Sequence, residues 1–335
     1  MNTTLTGLLL ATSIALAATG NYHVTGKIEI GSEGGWDYLT VDSAARRLYI
    51  SHATKVVVVD LDSEKMVGEI AGTAGVHGIA IAPKLNRGFT SNGRSNNVTI
   101  FDLKTLKPLG EVKTGENPDA ITYDEKSNRV VTFNGRSKDA TVFEAATGKV
   151  LATIPLGGKP EFPATDGQGK MWVNIEDTHE IAELDVIKSV VTKRYVLEGC
   201  EDPTGLAMDF QRQRIFSVCG NKVMAISDPI AGKVVATLPI GEGSDGASFD
   251  PATGLVFSSN GEGTLTVVRL VNGKYEVAEN VPTARGARTM TIDPKTHKLY
   301  LPNAKYAPAV PAAVGKKGAR PAMVPGSFSV LVMAQ

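Results

Sequence analysis

The stretch "DGASFDPATGLVFSSNGEGTLTVV", from Asp245 to Val268, contains three short apolar runs with a turn between each pair. "DPATG" separates the first two runs, and "NGEG" separates the second from the third. Short runs rich in Val, Phe and Thr, bounded by Gly, Pro, Asn and Asp, are typical of antiparallel strands joined by tight turns. The stretch therefore predicts a three-stranded meander.

The same order of parts recurs along the chain, and one residue marks the first turn of every copy. The seven markers are Asp42, Ala82, Asp124, Asp166, Asp209, Asp250 and Asp293. The steps between them are 40, 42, 42, 43, 41 and 43 residues. A two-layer sandwich would not require a regular sevenfold repeat, and sustained helical periodicity is missing, so the period favours a β-propeller.

Each copy also has a fourth apolar run, and four antiparallel strands make one propeller blade. The last copy ends at "SFSVLVM" (327–333) without this fourth run, whereas "VTGKIEI" (24–30) has fourth-strand character but no strands before it. We therefore predict an all-β, seven-bladed β-propeller over residues 22–335, with four antiparallel strands per blade. The N-terminal strand is expected to complete the last blade and close the ring.

The first 18 residues predict a secretory signal peptide. The apolar stretch Leu8–Ala18 is too short to span a bilayer, and Ala15-Leu16-Ala17 fits a small-x-small cleavage site. A buried or frayed N-terminal segment is the alternative. Export to the periplasm or the medium would place Cys200 and Cys219 in an oxidising compartment, where an even pair of cysteines predicts a disulfide.

The charge balance limits the possible partners. Lys plus Arg and Asp plus Glu number 35 each, so the formal net charge is zero. Nucleic-acid binders usually carry a basic excess, so a nucleic-acid partner is not expected. No segment after the N-terminus is long and apolar enough to cross a membrane. We expect a monomer without a membrane span.

The repeats resemble those of the YncE-like, YVTN-repeat family of exported seven-bladed propellers. The resemblance rests on "DSAARRLYIS" (42–51), "DFQRQRIFSV" (209–218), "NNVTIFD" (96–102) and the "G-K-V-[LV]-A-T-[IL]-P" strand at 148–155 and 232–239. The YVTN tetrapeptide itself is absent, with "LYIS" and "GFTS" in its place. The resemblance implies an exported binding or scaffold protein. Binding of single-stranded DNA, which has been attached to the family, has no supporting residue motif here.

Aligned repeats predict a site at one end of the central channel, since loops on one face of a propeller usually carry its ligands. Five residues before each marker, at the entrance to the innermost strand, lie Asp37, His77, Asp119, Glu161, Thr204, Asp245 and Arg288. We call these seven residues the entrance ring. Trp36 adjoins the ring and is a candidate for stacking on a ligand, and Arg285 is a second candidate cation.

Four carboxylates and a histidine converging in a channel repel one another unless something compensates. The candidates are a divalent cation, a cationic ligand, Arg285 with Arg288, or protons held at raised pKa values. Carboxylates with Asn oxygens would suit Ca²⁺ or Mg²⁺, whereas adding His77 and His52 would suit a transition metal. The possible metal ligands are Asp37, His77, Asp119, Glu161, Asp245 and His52.

A second set of residues lies ten positions after the markers of six copies: His52, Asn92, Asn134, Cys219, Asn260 and Asn303. The fourth copy is a residue shorter in its first turn, which puts Asn174 or Ile175 at this place. The Asn-Gly pairs among them also supply left-handed turn geometry, so ligation and turn chemistry stay open. The marker Asp residues are assigned to structure, because Asp caps backbone amides at turns.

Two functional classes follow from this pattern. The first is a binding or scaffold protein that takes a small molecule or an envelope protein at the channel face. The second is a metal-dependent hydrolase of esters or lactones, in which the ion polarises a carbonyl group. The long Pro/Ala-rich insertion 304–327 leaves the same face in the last blade. It is predicted to be a lid, a docking arm or a disordered loop.

Overall fold

The computed structural model describes residues 21–307 and 322–335. Across these residues, 28 strands form seven four-stranded antiparallel sheets, one for each predicted copy. No α-helix occurs in the described part of the chain, which contains only two short 3₁₀ turns, Pro83–Leu85 and Glu176–Thr178. Within the same residues, no helix meets the length and apolarity needed to cross a membrane. The prediction of an all-β, seven-bladed propeller is confirmed.

The strands follow one another in the same order in the first four blades. Blade 1 contains β2 (Leu39–Asp42), β3 (Arg47–His52), β4 (Lys55–Asp60) and β5 (Lys65–Ala71). Blade 2 contains β6 (Val76–Ala82), β7 (Arg87–Asn92), β8 (Asn97–Asp102) and β9 (Pro108–Lys113). Blade 3 contains β10 (Pro118–Asp124), β11 (Arg129–Asn134), β12 (Asp139–Glu144) and β13 (Val150–Pro155). Blade 4 contains β14 (Pro160–Thr165), β15 (Lys170–Ile175), β16 (Glu180–Asp185) and β17 (Val190–Val196).

The remaining blades follow the same order until the chain closes on itself. Blade 5 contains β18 (Pro203–Asp209), β19 (Arg214–Cys219), β20 (Val223–Asp228) and β21 (Lys233–Pro239). Blade 6 contains β22 (Ser244–Asp250), β23 (Leu255–Asn260), β24 (Thr264–Val271) and β25 (Lys274–Pro282). Blade 7 contains β26 (Thr291–Asp293), β27 (Lys298–Asn303), β28 (Ser329–Ala334) and the N-terminal β1 (His23–Glu29).

The N-terminal strand closes the ring as the sequence predicts. Strand β1 pairs antiparallel with β28, and Ile28 lies opposite Val330. The Ile28 side chain is buried in a cluster with Val330 of blade 7 and Leu48 of blade 1. The first and last strands therefore share a sheet, and both described ends of the propeller are held by hydrogen bonds and packing.

The core lies between neighbouring blades, because both faces of the inner strands are covered. Every residue of β23 is buried, whereas β21, a fourth strand, alternates between exposed and partly covered positions. Trp172 of blade 4 is buried in a cluster with Leu206 and Met208 of blade 5. In the sequence, strands that are covered on both faces appear as continuous apolar runs, whereas outer strands alternate between covered and exposed residues.

The marker residues begin the turn after each innermost strand, as the sequence predicts. The Ala252 amide donates a hydrogen bond to Asp250 Oδ1 at 3.0 Å, and the Arg212 amide donates to Asp209 Oδ1 at 3.0 Å. Capping of this kind satisfies backbone donors that the turn leaves without a partner. The repeated Asp thus has a structural role far from the channel mouth.

Candidate functional site

The entrance ring owes its orientation to a β-bulge that recurs at the start of the innermost strand. In blade 2, Val76 pairs with Asn92 and Ile79 with Thr90, so His77 and Gly78 together lie opposite a single residue. Blades 3, 4 and 5 contain the same two-against-one arrangement, and blade 6 has a register shift at Asp245. A bulge bends the strand and redirects its side chains.

All seven residues of the entrance ring line one cavity of about 400 Å³ at the channel mouth. The other lining residues are Tyr38, Lys159, Glu176, Gly243 and Ser244. Tyr38 of blade 1 and Phe162 of blade 4 bring their rings to 4.9 Å. Because these blades are not neighbours, this contact crosses the channel beside the cavity, which Tyr38 also lines.

The tightest cluster of donor groups comes from three consecutive blades. His77 Nδ1 lies 2.7 Å from Asp37 Oδ2 and 3.7 Å from Asp119 Oδ1. One donor atom from each of these three residues lies within 4.8 Å of the other two. Asp119 Oδ1 is buried and accepts no hydrogen bond from the described residues. One imidazole and two carboxylates therefore converge on a small volume, and one carboxylate oxygen there, Asp119 Oδ1, accepts no hydrogen bond.

Two cations neutralise the far side of the cavity, and sequence reasoning found only one of them. Lys159 Nζ lies 2.6 Å from Glu161 Oε1 and also pairs with Glu176. Arg288 Nε lies 3.2 Å from Asp245 Oδ2. Lys159 and Glu176 stand outside the repeated position, so alignment of the copies does not find them. The sequence signal for the Lys159–Glu161 pair is the "KPE" run, in which Lys159 lies two residues before Glu161.

The cavity remains acidic after these pairs are counted. Five carboxylates line it, from Asp37, Asp119, Glu161, Glu176 and Asp245, and they face two permanent cations. Burial and the charge of Asp37 raise the pKa of Asp119. Burial also raises the pKa of Glu161, and the Asp119 carboxylate adds to this increase while Lys159 opposes it. The acids thus favour a bound proton or another positive charge.

His77 is the group most directly affected by these carboxylates. Burial disfavours its imidazolium form, but the hydrogen bond to Asp37 and the charge of Asp119 outweigh burial and raise the pKa of His77. The pKa of Asp245 is also raised, by burial, although the neighbouring Arg288 lowers it in part. A proton on His77 stabilises the cluster in the same way that a bound cation would.

The structure does not bring His52, Trp36 or Arg285 into this cavity. The His52 ring is buried, stacks on Phe328 with centroids 4.3 Å apart, and contacts Ser32 through Nε2. Trp36 also stacks on Phe328, and the centroids of these two rings lie 5.1 Å apart. The Arg285 side chain is exposed to solvent. His52 and Trp36 pack where blades 1 and 7 meet.

The Asn residues of the second set support the blades. Asn134 Nδ2 donates to Asp139 Oδ1 at 2.6 Å and to Thr141 Oγ1 at 3.0 Å, so it links β11 to β12. Asn92 and Asn260 make equivalent hydrogen bonds in blades 2 and 6. These buried amides form their hydrogen bonds inside their own blades, so side-chain bonding between strands explains them.

One detail of this second set differs from the prediction, and one alternative that the sequence left open is decided. The Gly residues that follow the Asn residues do not adopt the left-handed backbone conformation. The residue with positive φ lies further along the turn, with φ of 53° at Asn96 and 57° at Lys138. The blade 4 member is Ile175, which lies opposite Pro160, and not Asn174. The side chains, rather than the Asn-Gly turn geometry, are therefore the reason for Asn at this position.

The predicted disulfide is confirmed. Cys200 and Cys219 are bonded, with their Cα atoms 5.4 Å apart. Cys219 lies opposite Pro203, and the bulge in blade 5 follows directly, between Pro203 and Leu206. The bond joins the loop that enters blade 5 to the end of its second strand.

Only the base of the insertion 304–327 is described. Tyr306 pairs with Met323, and the Ala307 amide donates to the Ala322 carbonyl at 2.8 Å. Residues 308–321 and the predicted signal peptide 1–18 lie outside the described residues. The ends of the insertion thus leave blade 7 side by side, and its role as a lid, arm or disordered loop stays a prediction.

Comparison with known proteins supports the fold and goes no further. No protein-family model and no curated protein matches the sequence. Among solved structures, the Kuenenia stuttgartiensis hydrazine synthase is similar with a TM-score of 0.70 at 16% identity, covering 81% of this chain and 94% of that chain. A total of 1810 solved chains match, so the architecture is common. The protein is a seven-bladed β-propeller, and fold likeness at this identity does not assign an activity.

Proposed function

We propose that this propeller is an exported binding protein that holds a divalent metal ion at the channel mouth. The carrying observation is the convergence of Asp37, His77 and Asp119, with one donor atom from each within 4.8 Å of the other two. All three come from the innermost strands, or just before them, in consecutive blades. A rigid framework that presents three donors in this way lowers the entropic cost of binding an ion.

The donor types favour a transition metal over Ca²⁺ or Mg²⁺. Zinc and manganese accept imidazole nitrogen together with carboxylate oxygen, whereas calcium and magnesium prefer oxygen alone. The Asn oxygens that would suit Ca²⁺ accept hydrogen bonds inside the blades, as Asn134 does from Thr132. A bound ion would also offset the mutual repulsion of the cavity carboxylates, as the proton on His77 does without it.

The export part of the proposal rests on two features. The first is the apolar N-terminal segment with its small-x-small site. The second is the Cys200–Cys219 bond, because structural disulfides persist mainly in oxidising compartments. The resemblance to exported YncE-like propellers agrees with both. A monomer that presents its channel face to a small molecule or an envelope protein is the expected working form.

Equilibrium dialysis against ZnCl₂ or MnCl₂, followed by elemental analysis, tests the proposal. We expect one ion per chain in the mature protein. At a free ion concentration about 100-fold above Kd, the ion should stabilise the fold by about 2.7 kcal/mol in a thermal unfolding experiment. The paired change Asp37→Asn and Asp119→Asn should abolish both effects.

Asp62→Asn is the matched control, because this carboxylate is exposed and far from the cavity lining. It should leave the ion count unchanged. Circular dichroism verifies that the variants keep the β-fold. A wild-type protein that retains no stoichiometric zinc or manganese, and whose melting temperature is the same with a chelator, would overturn the proposal.

A metal-dependent hydrolase of esters or lactones is the second candidate. Three protein ligands leave open positions on an ion, and the cavity of about 400 Å³ exceeds what an ion alone requires. The same ion would then polarise a bound carbonyl group. Hydrolysis of a lactone panel by the metal-loaded protein, lost with a chelator and in the Asp37/Asp119 variant, would favour this candidate. Stoichiometric ion binding without turnover would favour the binding protein.

A further inference from the structure

The cavity offers two hydrogen-bond donors that no described residue uses. Ser244 lines it with 5% of its surface exposed, and its Oγ is buried without a hydrogen-bond partner. Arg288 contacts Asp245 only through Nε, and half of its side chain is exposed. A buried polar group without a partner is costly, which points to a ligand or water at that place.

Arg288 also lies within the electrostatic reach of the metal cluster. Asp245 and, after it, Asp37 raise the pKa of the Arg288 guanidinium. A guanidinium presents planar pairs of N–H donors that match a carboxylate in bidentate geometry. The Nη groups of Arg288 and the open positions of an ion at His77 therefore border the same space.

We propose that this space binds a small organic dicarboxylate that bridges the ion and Arg288. One carboxylate group would coordinate the ion and a second polar group would pair with the Arg288 guanidinium. The Ser244 hydroxyl would donate the remaining hydrogen bond. The inference rests on the proposed function, since it requires the ion at Asp37, His77 and Asp119.

The negative charge of the cavity makes the binding of such a ligand depend on the metal ion. Five lining carboxyl groups face two permanent cations, so the metal-free pocket has no excess of positive charge and binds a carboxylate only weakly. An ion with two positive charges reverses this local balance. Binding of the carboxylate must therefore depend on the metal. A cationic ligand would show the opposite dependence, because it would compete with the ion.

Calorimetric titration of malonate into the Mn²⁺-loaded protein tests this inference. We expect binding that is at least tenfold weaker in metal-free protein, and no binding of malonamide, the neutral analogue of the same shape. Arg288→Gln should weaken malonate binding about tenfold to a hundredfold while the ion count stays at one. Ser244→Ala should weaken it several-fold.

Arg285→Gln is the matched control, since Arg285 lies three residues away and does not line the cavity. It should bind malonate as the wild type does. If Mn²⁺ binds with normal stoichiometry but malonate affinity ignores both the metal and Arg288→Gln, the carboxylate inference is wrong and the metal proposal stands. If Mn²⁺ itself fails to bind in dialysis, the metal proposal fails first.

Discussion

A single carboxylate can hold two blades together, and Asp293 does this where the ring closes. Asp293 Oδ1 accepts hydrogen bonds from the Lys295 amide of its own turn and from Ser43 Oγ of blade 1. Its Oδ2 lies 2.6 Å from Arg46 Nη1, also of blade 1. The same carboxylate caps the blade 7 turn and fastens that turn to blade 1.

Asp293→Asn should therefore destabilise the protein although it lies far from the cavity. The substitution leaves Arg46 without its buried partner, and breaking a buried ion pair on one side costs about 3 kcal/mol. Urea unfolding followed by circular dichroism measures the change. Asp62→Asn removes the exposed partner of the same Arg46 and should cost less than about 1 kcal/mol. Equal losses in the two variants would contradict this account.

The Asp293 pair also predicts a pH dependence. Burial disfavours the Asp293 carboxylate, but hydrogen bonds from Ser43, Arg46 and Thr296 outweigh burial and lower its pKa. The folded protein thus keeps this group ionised to lower pH than the unfolded chain, whose Asp pKa is about 3.9. Its stabilisation is complete above that value and is lost as pH falls through the lower folded pKa.

Unfolding free energies between pH 6 and pH 3 test the sign of this effect. The difference between wild type and Asp293→Asn should be constant above about pH 5 and shrink toward pH 3. A difference that grows on acidification would show that another group controls this interface.

At the scale of the strand, the bulges of the entrance ring require small neighbours. Gly205 is the second bulged residue of blade 5, and Gly246 follows the extra residue Asp245 of blade 6. A Cβ on Gly205 would lie 2.7 Å from the Asp245 carbonyl oxygen, and one on Gly246 would lie 2.8 Å from the Met290 nitrogen. Both contacts are with backbone of the next innermost strand or its lead-in. Glycine here permits the close approach of neighbouring blades around the channel.

Gly205→Ala should lower the free energy of unfolding by about 1–3 kcal/mol, because the added methyl group pushes two backbones apart. The displaced strands β18 and β22 carry Thr204 and Asp245 and none of the proposed ligands of the ion, so the ion stoichiometry should stay at one. Gly110→Ala is the control: a Cβ at this outer-strand position meets nothing within 4 Å. Thermal unfolding and ion stoichiometry are the measurements, and a neutral Gly205→Ala would refute the steric argument.

At the scale of the whole molecule, closure depends on one strand taken from the other end of the chain. Strand β1 supplies the outer strand of blade 7 along β28. Without it, β28 would expose its unpaired backbone edge, and exposed edges template association. The N-terminal strand therefore serves both stability and the monomeric state that we expect.

A chain that begins at Gly31 should be less stable and should self-associate. We expect a melting temperature lower by several degrees and higher-order species in size-exclusion chromatography. A synthetic peptide of residues 21–30 should bind in place of β1 and reverse both effects. The same peptide with Ile28→Asp should fail, because Ile28 is 3% exposed in the native structure. A truncated chain that remains monomeric and equally stable would contradict the role given to β1.

Much of this molecule follows from the repeat in its sequence. The period places the blades, the marker Asp residues begin the turns, and the unmatched runs at the two ends indicate how the ring closes. The alignment even selects the entrance ring, because residues at equal positions in equal blades must lie at equal distance from the axis. The Cys200–Cys219 bond also follows from the even number of cysteines together with the predicted export.

Other features were decided only in three dimensions. Lys159 pairs with both Glu161 and Glu176 although no repeat marks Lys159 or Glu176, and Tyr38 meets Phe162 across the channel. His52 stacks on Phe328 instead of joining the ring. The physical reason is that the repeat records only the hydrogen bonds and turns that all the blades share, and the Lys159 pairs occur in one blade alone. Contacts between blades depend on side chains that the closed ring alone brings together.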